Sequence, residues 1–163
     1  MHEFYAELGV YTHPKPLEQI LGAIGMELKE IQKWTCERSA LVVEDDSIAL
    51  EAFRQMLSYL FAEVHVAANG QVALDQLASH HYDVIFTDLR MPQLSGFRLI
   101  EEARQRNPEQ SIIIISAFDT DVVEQAQAIQ GLMYLLKPVS LDELLKVLAS
   151  LAQNLRPDNP ASY

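Results

Sequence analysis

From Ser39 onward, short apolar runs alternate with stretches whose apolar residues recur at helical spacing. Ala40–Val43, Val64–Ala67, Val84–Thr87, Ile112–Ser116 and Met133–Leu136 are β-branched or continuous runs, the pattern of parallel strands covered on both faces. Ile48, Phe53, Met56, Leu57 and Leu60 mark a first helix. Val72, Ala73, Leu77 and Ala78 mark a second, Leu99, Ile100 and Ala103 a third, and Val122, Val123 and Ala126 a fourth. A fifth runs through Leu141, Leu144, Leu145, Leu148 and Leu151, opened by the capping pair Ser140 and Glu143. Five strand–helix units predict an α/β fold, a doubly wound five-stranded parallel sheet with helices on both faces.

In such a sheet, loops and helix N-termini converge beyond the carboxyl ends of the strands, so the chemistry is expected there. The first strand is followed by Glu44-Asp45-Asp46, the third by Asp88, the fourth by Ser116 and the fifth by Lys137-Pro138. Two carboxylates 4 Å apart repel by roughly 4 kcal/mol at an effective dielectric of 20, so the group stays ionised only around a cation. Hard oxygen ligands favour Mg²⁺. A divalent ion and a fixed ammonium beside a free carboxylate can clamp a phosphoryl group while that carboxylate attacks. Asp46 reads differently: an acid in the first turn of a helix is an ordinary helix start.

These pieces resemble the receiver domain of response regulators, the phospho-acceptor half of two-component signalling. The matching segments are Leu-Val-Val-Glu44-Asp45-Asp46, Thr-Asp88-Leu-Arg-Met91-Pro92-x-x-Ser-Gly96, Ile-Ser116-Ala and Tyr134-Leu-Leu-Lys137-Pro138. Each is weak singly. Jointly they are specific, because Asp88 follows Asp45 by 43 residues, Ser116 by a further 28 and Lys137 by a further 21. The resemblance implies strand order 2-1-3-4-5 and a receiver over residues 39–155. It makes Asp88 the phospho-acceptor and assigns Mg²⁺ to Glu44, Asp45, Asp88 and the backbone carbonyl of Arg90. Ser116 and Lys137 would bind the phosphoryl group, Tyr134 would turn inward as Ser116 moves, and the Lys137–Pro138 peptide would be cis. The readout surface would be the fourth helix, fifth strand and fifth helix, roughly residues 119–152. Gly96 suits a tight turn before the third helix.

Two departures from the family pattern stand out. Arg90 and Phe118 flank the path of a water attacking the phosphoryl group, and their bulk predicts slow self-dephosphorylation. The stretch 119–133 is about one residue short of the usual pattern, which leaves the register of the fourth helix open.

Residues 1–38 lie outside the resemblance. Leu17, Ile20, Leu21, Ile24, Leu28, Ile31 and Trp34 predict an amphipathic helix over about 16–35, approached through Pro14 and Pro16. Gly22 and Gly25 each cost such a helix close to 1 kcal/mol, so it needs a surface to pack on. Its own receiver and a second chain are equal expectations. Residues 156–163 read as a polar tail, so the expectation is a single-domain receiver whose output is protein contact, or the receiver portion of a longer chain.

Composition narrows the partners. The chain has 163 residues, 49% hydrophobic and 21% charged, which is ordinary for a globular protein. A formal charge of −11 argues against sequence-independent DNA binding and against anionic membrane surfaces. The single cysteine, Cys36, together with the lack of a basic start and apolar core, predicts a cytoplasmic protein. His13, His80 and His81 lack ligand-spaced partners and read as surface residues. The expected partners are a sensor histidine kinase or phosphotransfer protein, an unknown downstream protein, and a second copy through the N-terminal helix or the fourth helix–fifth strand–fifth helix face. Two other readings compete. One is a receiver-like dimerisation or structural module not regulated by phosphorylation, for which loss of Asp45, Asp88 or Lys137 would be expected. The other is a haloacid-dehalogenase-type phosphotransfer enzyme, which needs a second acid where this chain has Arg90.

Overall fold

A computed structural model of the chain describes residues 28–117, 124, 126 and 128–155. The upstream part of the predicted 16–35 helix, Phe118, most of the predicted fourth helix and the 156–163 tail lie outside the described residues. The elements in chain order are α1 (Leu28–Thr35), β1 (Ser39–Val43), α2 (Ser47–Ser58), β2 (Glu63–Ala67), α3 (Gly70–Ser79), β3 (Val84–Asp88), α4 (Gly96–Arg106), β4 (Ser111–Ser116), β5 (Met133–Leu136) and α5 (Leu141–Asn154). The strands form one sheet of order β2-β1-β3-β4-β5. All four pairings are parallel.

The four helices from α2 to α5 each start with a side-chain cap. Asp46 accepts from the Ile48 and Ala49 N–H groups at the head of α2, and Asn69 accepts from Val72 N at the head of α3. Ser95 caps α4 through Arg98 N, and Ser140 caps α5 through Glu143 N. Asp46 is thus the ordinary helix start that its position predicted; it satisfies N–H groups that have no partner inside the helix.

Side chains alternate across the sheet, so each strand feeds two cores. Ala40, Val42, Val84, Phe86, Ile113, Ile115 and Leu135 enter a core shared with Phe53, Met56 and Leu57 of α2 and Leu144 and Leu148 of α5. Phe86 anchors it, meeting Phe53 and Phe61 edge-on at centroid distances of 5.4 and 6.1 Å. Leu41, Val43, Ile85, Ile112 and Ile114 enter the opposite core with Ala73 of α3 and Leu99, Ile100 and Ala103 of α4.

Three residues of the predicted apolar faces stay outside these cores. Ile48 is 81% exposed and Val72 38%, and Ala78 is also exposed. Ile48 and Val72 lie in the first turns of their helices, which start beyond the carboxyl edge of the sheet and have no strand beneath them.

The N-terminal helix has its partner within the chain. Ile31 of α1 is fully buried in the core that holds Leu148, Leu151 and Ala152 of α5, with Leu28 and Trp34 packed against it.

Candidate functional site

The period-two alternation that builds the cores also gathers the polar residues. Glu44 continues the parity of Ala40 and Val42, Asp88 that of Val84 and Phe86, and Lys137 that of Met133 and Leu135. Since Val43 pairs with Thr87, Glu44 and Asp88 come level one step further on. All three project on the same side of the sheet at its carboxyl end. Ser116 and Tyr134 have the parity of Ile112 and Ile114 and belong to the other side.

Lys137 closes the first group. Its Nζ donates to Asp88 Oδ2 at 2.5 Å and to Glu44 Oε2 at 2.6 Å. The remaining carboxylate oxygens are held by backbone: Asp46 N donates to Glu44 Oε1 at 3.1 Å, and Arg90 N donates to Asp88 Oδ1 at 2.9 Å. Glu44 is 4% exposed and Asp88 7%, while Asp45 is exposed. Burial pushes the Glu44 carboxyl above the usual carboxylate range, against the pull of Lys137. Burial alone would lower Lys137, but its bonds to Asp88 and then Glu44 outweigh this and raise it. One ammonium holds two buried acids, and Asp45 adds a third negative group at the mouth.

One carboxylate oxygen from each of Glu44, Asp45 and Asp88 lies within 4.8 Å of the others. Such a convergence of hard oxygen donors, open on the Asp45 side, fits a divalent cation of the Mg²⁺ kind. Glu44 and Asp88 already share a positive partner in Lys137, as their mutual repulsion requires.

The loop after Asp88 is tightly built. A Cβ at Gly96 would lie 2.2 Å from Asp88 O and 2.7 Å from Leu89 Cα, so only glycine lets α4 start against the Asp88 backbone. The turn reading for Gly96 is therefore replaced by close approach; positive φ occurs instead at Gln93, where φ is 69°. A non-glycine residue there costs roughly 1–2 kcal/mol. The Thr87 hydroxyl donates to Asp88 O at 2.8 Å and fixes the Asp88 backbone from below.

The other side of the sheet carries two hydroxyl groups, those of Ser116 and Tyr134. Ser116 Oγ donates to Ala117 O at 3.0 Å. Tyr134 packs against the α3–α4 core, and its hydroxyl is buried with no hydrogen-bond partner among the described residues. Burial raises its pKa above the ordinary phenol value. The Lys137–Pro138 peptide is cis. The Arg90 side chain is exposed, and its backbone N–H engages Asp88.

The structure thus gathers Glu44, Asp45, Asp88 and Lys137 and leaves Ser116 and Tyr134 nearby but turned to other uses. Sequence reasoning missed the Lys137–Glu44 bond, the Thr87 brace and the reason for Gly96. Thr87 sits beside Asp88 in the quoted motif, so adjacency was the available signal. The Lys137–Glu44 bond joins residues 93 positions apart, and only strand register brings them together.

The family model for the response regulator receiver domain matches residues 40–149. The chain belongs to this family. The receiver is 33% identical over 123 residues to the response regulator MprA of Mycolicibacterium vanbaalenii, covering 74% of this chain and 53% of that protein. It is 34% identical over 109 residues to the regulatory protein AtoC of Escherichia coli, covering 64% of this chain and 23% of that protein. The chain therefore spans about half the length of the MprA proteins it matches. Among solved structures, the receiver domain of the Francisella response regulator 1452 aligns with TM-score 0.62 and 30% identity, covering 74% of this chain and all of that one. The Vibrio cholerae chemotaxis protein CheY4 aligns with TM-score 0.64 at 24% identity over 71% of this chain and 98% of that one, and supports the fold. This is a response-regulator receiver of two-component signalling, with an acidic cluster able to hold a metal. No helix among its described residues is long and apolar enough to cross a membrane.

Proposed function

We propose that this receiver accepts a phosphoryl group on Asp88 from the phosphohistidine of a histidine kinase or phosphotransfer protein, and thereby switches a protein-contact surface. The observation that supports this most is the Asp88 carboxylate, buried at the sheet edge, bonded by Lys137 and level with Glu44 and Asp45. Mg²⁺, held by Glu44, Asp45, Asp88 and the Arg90 carbonyl, would neutralise the phosphoryl oxygens.

The chain's own groups do the rest. An Asp88 oxygen attacks phosphorus in line as the bond from phosphorus to the donor imidazole breaks and its electron pair returns to the ring nitrogen. The Arg90 N–H holds one Asp88 oxygen and so orients the other. Lys137 then exchanges its Asp88 bond for a phosphoryl oxygen, while Ser116 leaves Ala117 O and donates to another. Movement of Ser116 draws the loop after β4 inward and alters the space beside Tyr134, shifting the balance between two conformers. The surface affected runs from residue 119 to 152. Bulk at Arg90 and Phe118 slows water attack on the phosphorylated state.

The test is intact-mass measurement after acetyl phosphate and Mg²⁺. The expected result is one phosphate-sized adduct on the wild type and none on Asp88→Asn. Absence of the adduct under saturating donor would favour a structural module that phosphorylation does not control. Continuous release of phosphate from monoesters would favour an enzyme.

A further inference from the structure

α1 precedes the family-matched residues 40–149 and packs on α5, whose last turn, with Leu151 and Ala152, runs past them. Ile31 is fully buried in the core cluster that contains Leu148, Leu151 and Ala152, and Leu28 and Trp34 lie half-buried against it. Thr35 is also fully buried, and its hydroxyl donates to Ile31 O at 3.1 Å, so its polarity is satisfied inside α1.

The two ends of α1 are held differently. At the C-terminal end, the Arg38 guanidinium lies over the Trp34 ring at 4.5 Å and donates to Trp34 O. Arg38 O accepts from Ala62 N at 3.0 Å, and β1 begins at the next residue. That end is fastened to the domain. Further along α1, Leu28 and Ile31 pack into the core that α5 shares.

The other end of α5 connects to the acidic site. Lys137, bonded to Asp88 and Glu44, is separated from Leu141 by Pro138, Val139 and Ser140. Val139 and Leu141 both pack on the core in which Ile31 is buried. Lys137 and α5 are thus joined by a short packed link, and α5 is the helix that seats α1.

We propose that α1 is the receiver's own occupant of the α5 surface, and that phosphorylation of Asp88 loosens it about the Cys36–Arg38 end, so that the signal leaves through the N-terminal segment. This rests on the phospho-acceptor reading. When Lys137 moves outward from the Asp88 carboxylate to a phosphoryl oxygen, α5 shifts against α1, which packs on the shared core through Ile31, Leu28 and Trp34. Coupling is reciprocal: a chain with α1 already loosened should accept phosphate more readily.

Trp34 is the chain's single tryptophan, so its emission reports the seat directly. The full chain is treated with Mg²⁺ and acetyl phosphate, and intact mass and Trp34 emission are followed in the same sample. The expected result is an adduct accompanied by a red shift and stronger acrylamide quenching, both lost in Asp88→Asn. Ile31→Asp, or the milder Ile31→Ala, should show the red shift without donor and gain the adduct faster than wild type. An adduct with unchanged Trp34, or with reduced quenching, would overturn the inference and leave Asp88 phosphorylation standing. No adduct on the wild type would overturn both. An Ile31→Ala chain phosphorylated at the wild-type rate, despite a red-shifted Trp34, would also overturn the coupling.

Discussion

The two sides of the sheet differ at its carboxyl edge. On the α2–α5 side, Glu44, Asp88 and Lys137 are joined by bonds of 2.5 and 2.6 Å over the Phe86 core. On the α3–α4 side, Ser116 bonds to the adjacent carbonyl of Ala117, and the Tyr134 hydroxyl is buried with no partner among the described residues. The first side is held together by the chain's own bonds. The second holds the Tyr134 hydroxyl, and a buried unsatisfied hydroxyl costs about 1–3 kcal/mol. Under the proposed function, the first side would select the phosphoryl group and the second would respond to it.

Substitutions can break this contrast, and the largest expected effect is at Phe86. Phe86→Ala removes both edge-on ring contacts beneath the assembled side and should cost about 4 kcal/mol in denaturant unfolding. A loss below 1 kcal/mol would mean that this side is not the rigid one. Lys137→Met leaves two buried carboxylates without their ammonium. The Lys137 side chain is 30% exposed, so water softens the loss to about 2 kcal/mol, below the range for fully buried pairs. Adding Glu44→Gln should recover part of it, which a double-mutant cycle without divalent cations would read; strict additivity would show that the Glu44 bond carries no energy.

Tyr134→Phe goes the other way. Removing the unpartnered hydroxyl should raise stability by about 1 kcal/mol near neutral pH, measured by the same unfolding curves. A destabilised variant would show that the hydroxyl is already paired and the second side is not poised. The pH dependence has a definite sign. Burial raises the Tyr134 pKa above 10.0, so its neutral form is favoured by folding. Its contribution is intact below pH 10.0 and is lost as pH rises through the folded value. The Phe variant should lack that share of the alkaline loss.

Much of this was legible from residue order. Strand runs are local signals: β5 has the bounds that its apolar run predicted, and β1 to β4 differ by a residue at one end or the other. The acids and Lys137 could be assigned to one edge because strand ends in a parallel sheet share an edge. Helix faces were less legible at their first turns, where Ile48 and Val72 fit the periodicity but have no strand below them. Gly96 looked like a turn residue because a string of letters cannot show that Asp88 O would lie 2.2 Å from its Cβ. The α1 stripe announced that it needed a surface without saying which, since periodicity describes one face and not its partner.

The chain by itself determined the class of fold, the edge where the chemistry lies and the acids and lysine that meet there, because all three follow from short-range periodicity and strand polarity. Tertiary structure decided what those residues touch. Whether Lys137 bonds one carboxylate or two, whether Ser116 faces Asp88 or Ala117, and whether α1 sits on α5 depend on register and on competition among neighbours brought together from distant positions. Those choices are made by burial and hydrogen-bond satisfaction in three dimensions, which the order of residues constrains but does not display.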